Sequence, residues 1–385
     1  MTKSHVLLGT LVLTLMVSAA SLAQDAQYTP PSCGAPVATE DGWSIAPPDE
    51  VGFDPAAVCQ WTERRIATPR DNIHAVLVVR HGKLVFEQYF TGDDERYGRP
   101  LGQVTYDRTM LHDLRSISKT VTALLVGIAL AQQQLASLDQ PLFDFFPEYA
   151  DLRTPDKARI TPRHLLTMSA GLDWDETRTP YSDPNNSERR MNSAVDPYRY
   201  VLSQPVVLPP GAKYNYCGGA TALLGAILHK VTGQRLDEFA RTVLFAPLGI
   251  TEFDWVQLPN GEPAAASGLR LKPRDVAKIG QLVLAHGLWH GRQIVPRDYL
   301  DEATAPQIQG AGVYFYGYQM WVGRSLVHKR EIDWVAGLGF GGQRVFVIPS
   351  LDLVVVITAG LYTNLPLQGM LTSDILNDVV LPAVH

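Results

Sequence analysis

One stretch restricts the fold of this chain more than any other: a Ser-x-x-Lys motif at the start of a long apolar segment. Residues 120–131 read Thr-Val-Thr-Ala-Leu-Leu-Val-Gly-Ile-Ala-Leu-Ala. Apolar side chains recur there at the spacing of a helical face, as seen in Val121, Leu124, Leu125, Ile128 and Ala129. The spacing predicts a buried helix, with Ser116 at its N-terminus and Lys119 one turn further on, on the same face.

This placement brings a hydroxyl and an amine together in a region that the helix buries. Burial disfavours the charged form of an amine, so we expect the pKa of Lys119 to be lowered. A neutral lysine can take the proton of Ser116, and the helix N-terminus favours the oxyanions that form during acyl transfer. The motif therefore predicts a nucleophile, Ser116, and its general base, Lys119.

The alternative interpretation of the motif is structural, with a capping serine and a lysine whose amine reaches solvent. The chain has nine lysines, and only Lys119 has a serine three residues before it. An unpaired lysine that opens an apolar helix would also be costly to bury. Both observations favour the catalytic interpretation.

Strand signals lie near both ends of the chain, and helical signals fill the middle. Strand-forming runs occupy residues 74–79, 84–89, 318–322, 344–348 and 353–358. Helical patterns occupy residues 54–65, 198–202, 220–231, 236–245, 273–286 and 373–380. Residues 92–113 are polar and irregular, and residues 176–192 form a polar loop long enough to line a mouth or to act as a lid.

This order predicts an α+β fold. The N- and C-terminal strands would share one antiparallel sheet flanked by helices, within a single domain from residue 49 to residue 385. A mostly helical insertion would occupy roughly residues 130–310.

Composition excludes some classes of function. The chain has 385 residues, of which 46% are hydrophobic and 19% charged, as in an ordinary globular protein. The formal net charge is −6 and no run of Lys or Arg occurs, so nothing indicates a nucleic-acid partner. No spacing typical of zinc ligands is present, and we expect neither a metal nor a cofactor.

The N-terminus has the pattern of a secretory signal peptide at residues 1–23. Lys3 precedes an apolar core at residues 6–17, and a small-residue cleavage region ends at Ala23. The alternative is a membrane anchor, for which the apolar core is short. We expect cleavage, an extended leader at residues 24–48, no stable membrane anchor, and a periplasmic or secreted protein.

Three cysteines remain in the exported chain. An oxidising compartment would permit a disulfide between Cys33 and Cys59, and two unpaired thiols are the alternative. Cys217 would then be the odd cysteine, and we interpret it as a packing residue rather than a nucleophile.

Two further stretches supply candidates for the remaining parts of an acyl-transfer site. Tyr216 stands on a loop before a predicted helix, where a nearby ammonium would lower its pKa and allow it to shuttle a proton. The glycine-rich residues 337–343 precede a strand, and glycines let a backbone approach a ligand closely. For each stretch alone, simple packing or a hairpin turn is the alternative.

Together these stretches resemble the serine β-lactamase-like superfamily, in its class C β-lactamase, esterase and DD-peptidase branch. Within that branch the chain is most similar to 6-aminohexanoate-dimer hydrolase-like proteins. The resemblance runs from about residue 47 to the C-terminus. It rests on residues 78–83 (VVRHGK), 116–119 (SISK), 163–172 (RHLLTMSAGL), 210–216 (PGAKYNY), 223–225 (LLG) and 341–343 (GGQ).

The resemblance implies a β-lactamase/transpeptidase-like fold and an acyl-enzyme mechanism. Ser116 would be the nucleophile and Lys119 its base. Tyr216 would protonate the leaving group and later activate the deacylating water. The oxyanion hole would combine the N–H of Ser116 with an N–H near Gly339 and Phe340. The expected substrate is a small ester, amide or lactam, and the oligomeric state stays open.

Two positions depart from the family pattern. Gly218 stands where the family usually has an asparagine in a Tyr-x-Asn motif. Gly337, or Ala336 if the register differs by one, stands where a basic residue usually precedes the third-motif glycine. A carboxylate-bearing β-lactam would lose an amide and a cation that it normally contacts.

The sequence therefore supports an exported serine hydrolase of esters or linear amides. The alternatives are a β-lactamase or DD-peptidase, and a non-catalytic penicillin-binding sensor module. The intact Ser116, Lys119 and Tyr216 argue against the sensor, whereas the two departures argue for it.

Overall fold

The fold is that of a computed structural model, which describes Met1, residues 33–67 and residues 71–385. The predicted signal peptide at residues 1–23 and the leader up to residue 32 lie outside the described residues, apart from Met1. Within the part that is described, no helix has the length and apolar character needed to cross a lipid bilayer.

Most strands lie toward the two ends of the chain and helices fill most of its middle, as the residue patterns predict. The helices are α1 (Ala56–Ala67), α2 (Ile117–Ala131), α3 (Pro162–Leu166), α4 (Ser187–Ser193), α5 (Pro197–Ser203), α6 (Gly218–Thr232), α7 (Leu236–Ala240), α8 (Pro273–Leu284), α9 (Arg297–Thr304) and α10 (Leu365–Asp374). The strands are β1 (Ile73–Arg80), β2 (Lys83–Tyr89), β3 (Thr91–Arg96), β4 (Arg99–Thr105), β5 (His112–Asp113), β6 (Asp254–Trp255), β7 (Leu269–Leu271), β8 (Leu288–Trp289), β9 (Arg292–Gln293), β10 (Ile308–Gln309), β11 (Phe315–Tyr316), β12 (Trp321–Val327), β13 (Arg330–Gly339), β14 (Gln343–Ile348) and β15 (Leu353–Ala359).

The N-terminal and C-terminal strands share one antiparallel sheet, as predicted. Among the described residues it has eight strands in the order β10-β11-β12-β13-β14-β15-β1-β2. Strand β1 lies between β15 and β2, with Val76 opposite Ile357 on one side and Gln88 on the other. Every residue of β1 is buried, because helices cover both faces of the sheet there.

The sheet separates two apolar cores. Leu77 and Val79 of β1 point into the larger core, whereas Val76 and Val78 point into the smaller one. Helices α2 and α8 pack on the first face, and α1 packs with the C-terminal turns near the second. Helix α2 is apolar on all sides and almost wholly buried, as its composition predicts.

Residues 92–113 are more regular than expected. They include most of the hairpin of β3 and β4, with Tyr97 and Gly98 both at positive φ in its turn. Strand β4 is exposed along most of its length, so it lacks the alternation of apolar and polar residues that marks a half-buried strand.

Two further parts of the sequence prediction need correction. The predicted strand at residues 318–322 begins at Trp321 instead, and the ten-residue strand β13 was not predicted. The polar loop at residues 176–192, predicted to line a mouth or to act as a lid, also contains regular structure. It ends in helix α4, and the amide of Asn186 donates to the carbonyl oxygens of Glu176 at 3.0 Å and Thr179 at 2.7 Å.

The cysteines occupy distinct environments. Cys33 and Cys59 are joined by a disulfide, with their Cα atoms 5.8 Å apart. Cys217 is a buried free thiol, 4% exposed, and burial raises its pKa above the ordinary value. That environment suits packing and does not produce the thiolate that a nucleophilic cysteine needs.

Candidate active site

The Ser-x-x-Lys motif lies at the N-terminus of α2, in a nearly dry environment. Ser116 is the residue before the helix and is 8% exposed, and Lys119 is 1% exposed. Nζ of Lys119 lies 3.1 Å from Oγ of Ser116 and donates to the carbonyl oxygen of Ala266 at 3.0 Å. The predicted pairing of hydroxyl and amine is therefore present in the fold.

A small sheet of β5, β7 and β6 fixes both sides of this contact. The N–H of Leu114 donates to the carbonyl of Leu269 at 3.0 Å, just before the motif. The N–H of Leu269 donates to Oγ of Ser118 at 3.0 Å, within the motif. These bonds hold the segment that carries the Ala266 carbonyl against the first turn of α2.

The residue before the nucleophile candidate has a strained backbone. Arg115 has φ of +50°, a conformation that non-glycine residues rarely adopt. Its guanidinium pairs with Glu95 at 2.5 Å and Asp113 at 3.3 Å, and it lies between the rings of Tyr97 and Tyr362 at 5.1 and 5.0 Å. These contacts hold Arg115 in place, and the turn presents Ser116 at the helix end.

Tyr216 lies beside the serine–lysine pair. Nζ of Lys119 lies 4.8 Å from the centre of its ring, and its hydroxyl interacts with both Ser116 and Lys119. The preceding residue, Asn215, is held by two hydrogen bonds, because its side-chain amide donates to the carbonyl oxygens of Leu172 at 3.2 Å and Trp174 at 3.1 Å. The fold thus brings all three predicted catalytic residues together.

Two buried carboxyl groups complete the site, and neither was predicted. Glu176 is 1% exposed, and its Oε1 lies 3.8 Å from Nζ of Lys119. Glu188, at the start of α4, is 4% exposed and accepts a hydrogen bond from Ser267 at 2.8 Å. Both residues lie in the stretch predicted to be a polar loop that lines a mouth or acts as a lid, and no spacing or period marked either residue as part of the site.

These carboxyl groups change the expected ionisation of the site. Burial lowers the pKa of Lys119, but Tyr216, Glu176 and Glu188 raise it by more, so this pKa stands above its ordinary value. The predicted lowering is wrong, because it considered burial without the acidic neighbours. Burial likewise raises the pKa of Tyr216 further than Lys119 lowers it, which corrects the second pKa expectation.

The carboxyl group of Glu176 has a pKa well above its ordinary value. Burial and the neighbouring Glu188 raise the pKa of Glu176 to about 7, although Lys119 favours its charged form. Two hydrogen bonds from Trp174 and the backbone of Gly218 also favour the carboxylate. At neutral pH the site therefore contains an ammonium and a carboxyl group that is only partly ionised.

The glycine-rich segment ends next to the serine. Strand β13 pairs with β12 as far as Ala336, opposite Trp321, and then continues to Gly339 with β14 as its partner in the described residues. A Cβ at Gly339 would lie 2.3 Å from the carbonyl oxygen of Leu114, so the strand end touches the segment just before Ser116. Residues 337–339 thus present a strand edge beyond the end of β12.

Phe340 follows this edge in the turn between β13 and β14. Its ring lies 5.0 Å from that of Tyr181 and 5.9 Å from that of Tyr362. Tyr181 in turn donates to Glu176 at 3.1 Å, so the aromatic contact joins the glycine-rich turn to the buried carboxyl group. The segment predicted to help bind the oxyanion therefore lies beside the site.

One cluster of metal-ligand side chains occurs among the described residues. It comprises His74, Asp94 and His112, which are all buried. Nδ1 of His74 and Nε2 of His112 are 2.8 Å apart, closer than the roughly 3.3 Å expected for two nitrogens bound to one zinc ion. The contact has the length of a hydrogen bond, and the cluster is explained as a buried hydrogen-bonded network.

Comparison with known proteins assigns the chain to a family. The family model described as Beta-lactamase matches residues 72–368, which is most of the chain. The chain belongs to the beta-lactamase family. Its relatives include proteins named as a 6-aminohexanoate-dimer hydrolase and as esterases, and this beta-lactamase-family protein is a serine hydrolase.

Two curated relatives illustrate the range of the family. The protein is 25% identical over 306 residues to 6-aminohexanoate-dimer hydrolase of Paenarthrobacter ureafaciens, covering 73% of this chain and 71% of that protein. It is 28% identical over 187 residues to esterase EstB of Burkholderia gladioli, covering 47% of this chain and 46% of that protein. The similarity therefore extends to an amide hydrolase and to an esterase.

Solved structures agree on the fold. A provisionally named 6-aminohexanoate-dimer hydrolase from Bacillus anthracis has a TM-score of 0.67 at 20% identity, covering 91% of this chain and 87% of that chain. The hydrolase EstCE1 has a TM-score of 0.64 at 19% identity, covering 82% of this chain and 97% of that chain. The beta-lactamase-family protein thus has the α+β fold that its sequence predicts.

Proposed function

We propose that this protein is an exported serine hydrolase that cleaves neutral esters or linear amides through an acyl-enzyme on Ser116. The observation that carries the proposal is the contact of 3.1 Å between Nζ of Lys119 and Oγ of Ser116 in a nearly dry site. A serine hydroxyl within hydrogen-bonding distance of an amine that can pass the serine proton on to a base is an arrangement suited to nucleophilic catalysis.

The reaction proceeds in two halves. In the first, the Lys119 site takes the proton of Ser116, Oγ attacks the substrate carbonyl, and the tetrahedral intermediate expels an alcohol or an amine. Tyr216 lies next to both groups and gives a proton to the leaving group. In the second half, a water molecule attacks the acyl carbonyl and gives a proton to Tyr216. The bond between the acyl group and Oγ then breaks, the Lys119 site returns its proton to Oγ of Ser116, and the acyl group is released as an acid.

The oxyanion of each tetrahedral intermediate needs two hydrogen-bond donors. We assign one to the backbone N–H of Ser116, at the positive end of α2. The other is an N–H of the strand edge at residues 337–339 or of Phe340, which follows it. The close approach of Gly339 to Leu114 supports this assignment, because it brings the strand edge next to the nucleophile.

The surroundings of the site favour uncharged substrates. Partly exposed aromatic side chains lie on two sides of the site. On one side Trp321 stacks on Tyr216, with their ring centres 6.1 Å apart, and on the other Phe340 lies next to Tyr181. A side chain at Gly337 would meet Thr120 and Ile117 of α2 at 3.2 and 3.4 Å, so a lysine at this position has little room. A substrate carboxylate would therefore lack the cation that the resemblance leads one to expect there.

Export is part of the proposal and rests on two features. The first 23 residues have the pattern of a cleaved signal peptide. The disulfide between Cys33 and Cys59 is of a kind that persists in oxidising compartments such as the periplasm.

A comparison of substrates tests the proposed class. The mature protein is assayed with p-nitrophenyl butyrate, a linear amide of 6-aminohexanoate, and nitrocefin, in each case beside Ser116→Ala. We expect turnover of the ester or the amide with a kcat/KM about a hundredfold or more above that for nitrocefin, and no turnover by the variant. Preferential hydrolysis of nitrocefin would contradict the proposed substrate class.

A β-lactamase or DD-peptidase activity is the second candidate. It is favoured by a 29% identical relative, the beta-lactamase of Escherichia coli, although that match covers 49% of this chain and 44% of that protein. Gly218 and Gly337 argue against it, since neither supplies the amide or the cation that a β-lactam carboxylate and side chain would contact. The same assay separates the two candidates.

A further inference from the structure

The carboxyl group of Glu176 is built into the site at four points. Its Oε1 lies 3.8 Å from Nζ of Lys119 and accepts from the hydroxyl of Tyr181 at 3.1 Å. Its Oε2 accepts from the indole of Trp174 at 2.7 Å and from the backbone N–H of Gly218 at 2.6 Å. Gly218 is the first residue of α6, so the carboxyl group also lies at the positive end of that helix.

The glycine at position 218 makes this arrangement feasible. A Cβ at Gly218 would lie 3.0 Å from Oε2 of Glu176 and 3.3 Å from Cγ and Cδ of Glu188. A side chain there would therefore compete with both carboxyl groups for the same volume. The departure from the Tyr-x-Asn pattern and the presence of two buried acids are thus two aspects of one change in the site.

Glu188 lies behind Glu176 and connects the pair to the segment that holds Lys119. It accepts from Ser267, whose hydroxyl oxygen lies 2.9 Å from that of Tyr97. Ser267 directly follows Ala266, the carbonyl of which accepts from Lys119. The second carboxyl group thus fixes the chain on the far side of the amine and adds negative charge near Glu176.

We propose that Glu176, supported by Glu188, is a positioning residue that acts through Lys119, and that the Lys119–Glu176 pair takes up the proton of Ser116. This inference rests on the proposed function. The titratable groups that face Glu176 from the surrounding elements are Lys119 of α2, Glu188 of α4, Tyr181 of the same loop, Tyr216 and Cys217 before α6, and, further away, Tyr214 and Tyr316.

The proton balance explains why a pair is needed. An ammonium at Lys119 cannot accept a proton until it has lost one. When Oγ–H of Ser116 breaks, its proton passes to Nζ while one ammonium proton passes to Oε1 of Glu176, and the serine oxygen attacks the substrate. The pair begins as ammonium and carboxylate and ends as ammonium and carboxylic acid. The transfer requires Nζ and Oε1 to close from 3.8 Å to about 2.8 Å.

The pair can accept this proton only after Glu176 has ionised. We therefore expect the rate of acylation to rise with pH through an ionisation near pH 7, since the pKa of Glu176 is raised to about 7. Removing the charge of Glu188 should move this ionisation to lower pH, because Glu188 is one of the causes that raise the pKa of Glu176.

The experiment measures the second-order rate constant of a fluorophosphonate probe with Ser116 from about pH 5 to about pH 9.5. The proteins are the wild type, Glu176→Gln, Glu188→Gln and the control Glu302→Gln. The amide oxygen of glutamine can still accept from Gly218 and Trp174, so the first variant keeps much of the packing. Glu302 is a partly exposed carboxylate that contacts Arg163.

We expect the wild type and Glu302→Gln to show the rise near pH 7. Glu176→Gln should lose this rise. Above pH 8, the probe should label this variant at least about tenfold more slowly than the wild type. Glu188→Gln should keep the rise at a lower pH. A purely structural role for Glu176 would lower the rate by the same factor at every pH and leave the rise in place, and that result would overturn the proposal.

Other outcomes are also decisive. If Glu176→Gln does not fold, the profile of Glu188→Gln decides, and an unchanged rise in that variant contradicts the proposal. If the wild type is not labelled at Ser116 at any pH, the proposed function fails instead. The two failures are therefore distinguishable in one set of measurements.

Discussion

Nζ of Lys119 lies 3.1 Å from Oγ of Ser116, and both side chains are almost fully buried. Lys119 follows Ser116 by one helical turn. The contact depends on the start of α2, where the strained Arg115 and the small sheet of β5, β6 and β7 fix the first turn. The amine also touches a backbone carbonyl, a tyrosine ring and a carboxyl group. Its environment is therefore that of a proton-transfer group rather than of a lysine that reaches solvent.

Replacing the amine tests its role directly. Lys119→Met keeps the length of the side chain but removes the amine through which the proton of Ser116 passes, so ester turnover should fall about a thousandfold. The matched control is Lys278→Met, at a lysine that is equally buried but pairs with Asp275 at 2.9 Å in α8. The control should lose stability and retain its activity per folded molecule, as measured by active-site titration. Equal losses of activity in the two variants would contradict a specific role for Lys119.

The hydroxyl of Tyr216 can be removed without removing its ring. Tyr216→Phe keeps the stacking on Trp321, and kcat should fall about a hundredfold or more because the leaving group loses its proton donor. Tyr214→Phe is the control, since the buried hydroxyl of Tyr214 has no hydrogen-bond partner among the described residues. Steady-state kinetics with one ester should separate the variants, and normal kcat in Tyr216→Phe would exclude the proposed proton transfer.

The end of β13 offers a pair of glycines for a graded test. Gly339→Ala places a methyl group 2.3 Å from the carbonyl of Leu114 and should push the strand edge away from Ser116. We expect kcat to fall about a hundredfold through the weakened oxyanion site. At Gly337 the nearest atom is a side-chain carbon of Val345 at 3.0 Å, so Gly337→Ala should have a smaller effect. The reverse order in kcat, with circular dichroism showing both variants folded, would argue against this site.

Stability depends on a buried ion pair away from the reaction. Arg274 is 3% exposed and contacts both oxygens of Glu87, at 2.5 and 2.8 Å, together with Asp41 at 2.9 Å. Arg274→Met leaves a buried carboxylate without its partner and should lower the free energy of unfolding by about 3–5 kcal/mol. Urea unfolding measures the loss, and a change below about 1 kcal/mol would show that the pair contributes little.

Much of the fold follows from local patterns. The apolar residues of β1 and β15 predict strands that need burial, and α2 is apolar enough to be recognised as a buried helix. The strand β13 escaped prediction because it changes character along its length. It begins with charged residues and ends in glycines, so neither end has the composition of a strand.

The site was predictable only in part, for a related reason. Ser116 and Lys119 are neighbours on one helix, so their contact follows from helical spacing. Glu176 and Glu188 reach Lys119 through tertiary packing, and their acidic side chains are far more often solvated than buried. The raised pKa of Lys119 could not be foreseen for the same reason, because its causes come from α4 and from the loops before α4 and α6.

The most direct test of the account is to react the purified mature protein with a fluorophosphonate probe and to locate the modified peptide by mass spectrometry. Ser116→Ala and Ser118→Ala are treated in parallel, since Ser118 lies in the same motif and its Oγ instead bonds backbone groups. We predict one labelled residue, Ser116, with labelling absent from Ser116→Ala and retained in Ser118→Ala. A folded wild-type protein that is not labelled, or is labelled at another serine, would contradict the central claim.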